Sequence, residues 1–202
     1  MKLYGSLTSP FVRAVRITAI EVGIANEIEF APTVVRPTEP NHDYGAVNPL
    51  RRVPALETDD GQIFIDSRVI AEFLNKAAKG DVVPKGAAAR IVCFNRHAVF
   101  AGATEALVSA MYELRLRPEP LRWPQWAADQ IDKAHAALDW TEAKIDEMPE
   151  DFDLGAIALA CLVGYAQLRF PEIAWLDRRP MLAKFWAGAQ ERRSISETTP
   201  PS

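Results

Sequence analysis

The sequence predicts two kinds of structure in one chain: an α/β segment over residues 1–80 and an all-helical segment over 87–202. Three observations predict it. Short apolar strands alternate with helical patterns through residue 80, in the order β-α-β and then β-β-α. Gly80 to Gly86 is a linker of Gly, Pro and charge. Beyond it, apolar residues recur almost entirely at helical spacing.

Each element has a local reason. Lys2-Leu3-Tyr4-Gly5 reads as a short strand. Ser9 and Pro10 then open a helix: Ser accepts a bond from an unpaired first-turn amide, and Pro has no N–H to waste there. Phe11, Val15, Ala19 and Val22 share one face of it. Glu27 to Ala31 alternates polar and apolar, as a half-buried strand does, and Pro32, Pro37 and Pro40 break regular structure. An irregular loop, Asn48 to Pro54, leads to a strand at Ala55-Leu56-Glu57. Asp59-Asp60-Gly61 is a hairpin turn, and Ile63-Phe64-Ile65 is the returning strand. From Ser67 a helix carries Val69, Ile70, Phe73 and Leu74.

In the second segment, helices are expected from Ala87 to near Arg115, from Trp123 to Met148 with Pro149 as the stop, from Leu154 to Arg169, and from Pro180 to Gln190. Asp153 can cap the third, which is apolar all round and so reads as the buried core. The tail from Ser194 to Ser202 is polar and Pro-ended, and is expected to be loosely ordered.

Composition excludes several functions. With 49% apolar and 25% charged residues, the chain can bury a substantial core without staples. A net charge of −4 gives no basic footprint for nucleic acid, and the arginine doublets at 51–52, 178–179 and 192–193 are scattered. Cys93 and Cys161 form neither a disulfide framework nor a CxxC pair, which fits a reducing cytoplasm. His42, His97 and His135 show no metal-ligand spacing, so no metal is expected. The N-terminus does not read as a signal peptide, and no run nears the roughly 20 apolar residues of a membrane span.

Ser9 is the residue of most chemical interest. Its hydroxyl sits where a strand hands over to a helix, at the positive end of the helix dipole. Such a place suits an anion such as a thiolate; it equally suits a plain cap.

Three motifs, in order, carry a resemblance: Ser9-Pro10-Phe11-Val12-Arg13; Asn48-Pro49 through Val53-Pro54-Ala55-Leu56; and Asp66-Ser67 followed by Ile70-Ala71. With the helical half behind them, the chain resembles the cytosolic glutathione S-transferase family over nearly its whole length, most closely its serine-type bacterial members. The resemblance implies a thioredoxin-like first domain that binds glutathione at its border with an all-helical second domain. There are departures. Arg51-Arg52 replaces the family's usual Gly-Lys, and Arg differs from Lys in geometry. The core helix keeps its cap, Asp153, but has Ala156 where the family has Asp.

The resemblance implies specific roles. Ser9 would be the catalytic residue, donating its hydroxyl hydrogen to the glutathione sulfur; Tyr4 and Thr8 are fallback donors. Pro54 would be cis, and Val53 would pair its backbone with the cysteinyl unit of glutathione. Ser67 would hold the γ-glutamyl carboxylate, or only cap a helix; Asp66 would cap or meet the ammonium group. Arg52 is either a partner for the glycine carboxylate or a solvated loop charge. Arg90, Phe94, His97, Ala101, Met111 and Tyr112 could face a hydrophobic electrophile. Glutathione is then a co-substrate and no separate cofactor is expected. A homodimer is expected from the family, and detoxification from the chemistry. The rival functions are a non-catalytic glutathione or ligand binder on the same fold and a thiol-disulfide reductase, which would place Cys where Ser9 and Val12 stand.

Overall fold

Strand β1 (Lys2–Gly5) lies inside a four-stranded sheet of order β2-β1-β3-β4, with β2 at Glu29–Pro32, β3 at Ala55–Glu57 and β4 at Ile63–Ile65. β1 runs parallel to β2 and antiparallel to β3, and β3 is antiparallel to β4. The computed structural model describes residues 1–149 and 151–201; Glu150 and Ser202, both within spans read from the sequence, lie outside the described residues. Helices α1 (Pro10–Glu21) and α2 (Ser67–Ala77) complete this part. Leu3, Val12, Val15, Ala19, Leu56, Ile70 and Leu74 form its core.

The elements follow the expected order, a βαβ-ββα arrangement of the thioredoxin type, with differences of detail. The buried stripe of α1 is turned: Val12, Val15 and Ala19 are covered, whereas Phe11 and Val22 are only half-buried. Gly5 explains the turn, because a Cβ there would meet Val12 Cγ1 at 2.7 Å. Val12 therefore packs onto the bare backbone of β1. On α2, Val69 is exposed and Ala71 is buried in its place. Ala25–Glu27 is a 3₁₀ turn, so β2 starts later than the alternation suggested.

The second part contains α3 (Ala87–Arg115), α4 (Pro124–Glu142), α5 (Leu154–Arg169) and α6 (Pro180–Gln190), with α3 packed on both α4 and α5. Every residue of α5 from Leu154 to Val163 is buried, which fits its all-round apolar sequence. Asp153 caps it: one carboxylate oxygen accepts from Ala156 N–H at 3.0 Å and the other from the Arg96 guanidinium, both residues being buried. α4 stops at Glu142 rather than Met148, and Ile145–Glu147 is a separate 3₁₀ turn. The Glu142 carboxylate is engaged elsewhere, accepting from Met181 and Leu182 N–H at 3.0 and 2.8 Å to cap α6. Just before α6, buried Arg179 donates to Asp139 at 2.7 Å, to the Trp175 carbonyl at 2.6 Å and to His135 Nδ1 at 3.3 Å.

The chain forms two compact units, and the boundary corrects one expectation. Residues 86–192 form the helical unit, but the segment from Arg193 onward belongs with residues 1–85. The expected loose tail contains a short helix, α7 (Arg193–Ser196), and its Ser194, Ile195 and Thr198 are buried. Arg13 on α1, 5% exposed, donates to the Ile195 carbonyl at 3.2 Å and to Thr198 Oγ1 at 3.4 Å. Satisfying a buried guanidinium is what draws this polar segment in.

Candidate active site

Three segments leave one edge of the sheet. β1 ends at Gly5, beside the start of β3, since Tyr4 is opposite Ala55. β4 ends at Ile65, also opposite Ala55. The residues after β1, those before β3 and those after β4 therefore gather at the same edge. They include Ser9, Val53-Pro54 and Asp66-Ser67. Helices α1 and α2 both start from it, so two helix N-termini open toward one place, and each favours negative charge.

Ser9 has the extended backbone of an N-cap, φ −78° and ψ 125°, and is half-buried. Its Oγ accepts from Val12 N–H at 3.3 Å, which leaves the hydroxyl hydrogen free to be donated. Tyr4 has committed its own: its hydroxyl donates to Glu57 Oε2 at 2.6 Å. That bond, with burial and nearby carboxylates, raises the Tyr4 pKa above its ordinary value. The Thr8 hydroxyl pairs with Ser6 at 3.1 Å.

The Val53-Pro54 peptide is cis; Pro54 is buried and Val53 half-buried. Arg52 is exposed, after Arg51 at φ 50°. Asp66 is held at φ 74°, a backbone region that costs a non-glycine residue about 1–3 kcal/mol. Its Oδ1 accepts from Arg68 and Val69 N–H at 2.9 and 3.4 Å, so Asp66 caps α2. Ser67, the first residue of α2, is 8% exposed.

Residues 8–77 match the family described as glutathione S-transferase, N-terminal domain. The chain is 30% identical to the uncharacterized GST-like protein YibF of Escherichia coli K12, with 100% of this chain and 99% of that protein covered. The chain belongs to the glutathione S-transferase family. A glutathione transferase family member from Pseudomonas fluorescens Pf-5, solved with bound glutathione, matches at a TM-score of 0.96 and 34% identity over 100% of this chain and 99% of that one. A glutathione S-transferase from Methylobacillus flagellatus KT, with GSH bound, matches at 0.88 and 31%, covering 99% of each.

This glutathione S-transferase carries a loop brace that the sequence did not announce. Tyr44 and Asn48 both donate to the Arg52 carbonyl, at 2.9 and 2.7 Å. Asn48 stood in a quoted motif without a role, and Tyr44 had no signal at all. In the helical unit, the residues expected to face the electrophile are spread along α3. Phe94 lies under Arg90, whose guanidinium is 4.8 Å from the ring centre, and His97 is buried. Ala101 and Tyr112 are half-buried, but Tyr112 lies about 27 Å along α3 from Phe94 at about 1.5 Å per residue. Tyr112, and Met111 beside it, therefore stand at the far end of α3 from Phe94. Cavities against α3 are lined instead by Val92, Asn95 and Arg96, and by Val99, Gly102 and Ala103, each with Trp140. Among the described residues, no cluster of His, Cys, Asp or Glu is placed to hold a metal, and no helix is long and apolar enough to cross a membrane.

Proposed function

We propose that this glutathione transferase binds glutathione at the sheet edge of its first unit and ionises the thiol against Ser9, as serine-type members of the family do. The thiolate then attacks an electrophilic carbon of a hydrophobic substrate. The observation that carries this reading is the meeting of two helix N-termini, one bearing Ser9 and one Ser67, at the edge where Val53-Pro54 enters β3. A tripeptide with a carboxylate at each end and a thiol between them matches such an edge in charge. Relatives solved with glutathione bound support it.

An unperturbed thiol has a pKa of about 8.5, so only a few per cent is ionised at pH 7. Ser9 donates its hydroxyl hydrogen to the sulfur while still accepting from Val12 N–H, and the α1 dipole adds to the stabilisation. Val53 pairs its N–H and C=O with the cysteinyl backbone as an added strand would. Ser67 takes the γ-glutamyl carboxylate through its N–H and hydroxyl, Asp66 faces the ammonium group while capping α2, and Arg52 meets the glycine carboxylate. The electrophile meets α3 along the stretch of Phe94, His97 and Ala101. The enzyme acts in detoxification as a homodimer in the reducing cytoplasm, where Cys93 and Cys161 stay as thiols. Light scattering giving a single-chain mass would remove the dimer from this picture.

Ser9→Ala tests the central role. Turnover at pH 6.5 falls at least about tenfold and partly recovers as pH approaches the free thiol pKa. Thiolate absorbance of the complex moves to higher pH, one unit corresponding to about 1.36 kcal/mol. Normal turnover with an unmoved thiolate titration would leave Ser9 a cap alone; binding of glutathione without turnover in the parent would favour the non-catalytic reading.

A further inference from the structure

We infer that Tyr44 and Asn48 are positioning residues for glutathione, acting through the Arg52–Val53 peptide. The inference rests on the reading that Val53 pairs with the cysteinyl backbone. A carbonyl oxygen has two lone pairs, and on Arg52 each receives a donor: Tyr44 Oη at 2.9 Å and Asn48 Nδ2 at 2.7 Å. The peptide is planar and trans, so its C=O and N–H point in opposite directions. Two donors fixed on the Arg52 oxygen therefore aim the Val53 N–H away from themselves. That N–H is the group that would donate to the cysteinyl carbonyl.

The brace is itself held. Tyr44 is 5% exposed and Asn48 2%. Tyr44 N–H donates to Asn41 Oδ1 at 3.0 Å, and the Tyr44 ring packs 5.9 Å from that of Tyr4. Asn48 Oδ1 accepts from Leu50 N–H at 3.0 Å while Nδ2 donates to Arg52, so both ends of the side-chain amide are committed, and the Asn48 backbone N–H donates to the Tyr44 carbonyl at 2.9 Å. Burial pushes the Tyr44 hydroxyl up to about 12, so it remains a donor throughout the working pH range. The segment it steadies includes Arg51 in a left-handed conformation and an exposed Arg52.

Tyr44→Phe keeps the ring and removes only the donor. Calorimetry on the full chain compares glutathione with an analogue whose Cys–Gly amide is an ester, a poorer carbonyl acceptor; Asn48→Ala and Ser67→Ala are measured beside it. The expected result for Tyr44→Phe is a glutathione Kd raised about threefold to tenfold, with kcat at saturating glutathione within about twofold. With the ester the loss shrinks to about half or less on a logarithmic scale, and Asn48→Ala repeats the pattern. If Ser67→Ala weakens glutathione while Tyr44→Phe leaves Kd unchanged, or weakens both ligands equally, the inference is overturned and the site stands. If neither variant changes Kd, the inference and the proposed site fall together.

Discussion

Helices α1 and α5 both begin on a polar cap, and the two caps serve opposite ends. Ser9 is neutral, half-buried and leaves a hydrogen to give. Asp153 is a carboxylate, 2% exposed, already joined to Ala156 N–H and to Arg96. The α5 dipole has its anion built into the chain; the α1 dipole has a neutral cap, and under the proposed function its anion comes with the ligand. Capping alone does not separate a structural N-terminus from a binding one. What sets the α5 end apart is that its cap is buried and closed by a buried cation, Arg96; Asp66, which caps α2, is a carboxylate too, but an exposed one.

The largest effect expected from this contrast is at the closed end. Asp153→Ala leaves Arg96 buried without its partner and should cost about 3–5 kcal/mol in urea unfolding; a loss below about 1 kcal/mol would break the contrast. At the open end, Arg52→Ala should weaken glutathione by about 10- to 150-fold, the value of a charge-assisted bond of roughly 1.5–3 kcal/mol. Calorimetry at two salt concentrations reads it, and an unchanged Kd returns Arg52 to the solvent. Ser9→Asp makes α1 resemble α5. Asp caps as well as Ser, so stability should stay within about 0.5 kcal/mol. Yet the carboxylate now repels a thiolate, and the bound thiol should titrate at least about one unit higher, a tenfold smaller thiolate fraction. A variant that ionises glutathione normally would show that the α1 end is not an anion site.

The smallest effect concerns a second closed charge. His135 stacks on Trp175 and accepts from Arg179, and burial followed by the nearby guanidinium holds its pKa below the ordinary value, against opposing pulls from Asp139 and Asp132. The folded state therefore binds this proton less readily than the unfolded one. Its contribution is full above about pH 6.5 and declines as pH falls below that. Parent protein should lose more stability than His135→Gln between pH 7.5 and 5.5; equal losses would count against it.

Most of the fold was legible because its signals are local. Pro10, Asp66, the Asp59–Gly61 turn and the periodicity of α3 and α5 each act within a few residues, and those elements lie where the sequence placed them. Ser9 and Asp66 were legible as caps for the same reason, but only the family resemblance joined them with Val53 and Ser67 into one site. The rest depends on distant partners. Nothing near Val12 says that Gly5 will receive it, and nothing near Tyr44 says that its hydroxyl will reach Arg52. Phe94 and Tyr112 share a periodicity, but periodicity carries no information on how far along a helix a pocket extends.

The docking of the segment after Arg193 onto α1 has a consequence for biosynthesis. The helical unit is threaded into the chain between two pieces of the unit that holds Ser9. A ribosome works from the N-terminus, so α1 is made early, while the groups that receive its buried Arg13 are made after all of residues 86–192. The nascent first unit must wait, its guanidinium still hydrated, until the whole helical insert has emerged. A truncated transcript ending after α6 would therefore leave the unit with Ser9 unfinished, although every residue of its sheet had been synthesised.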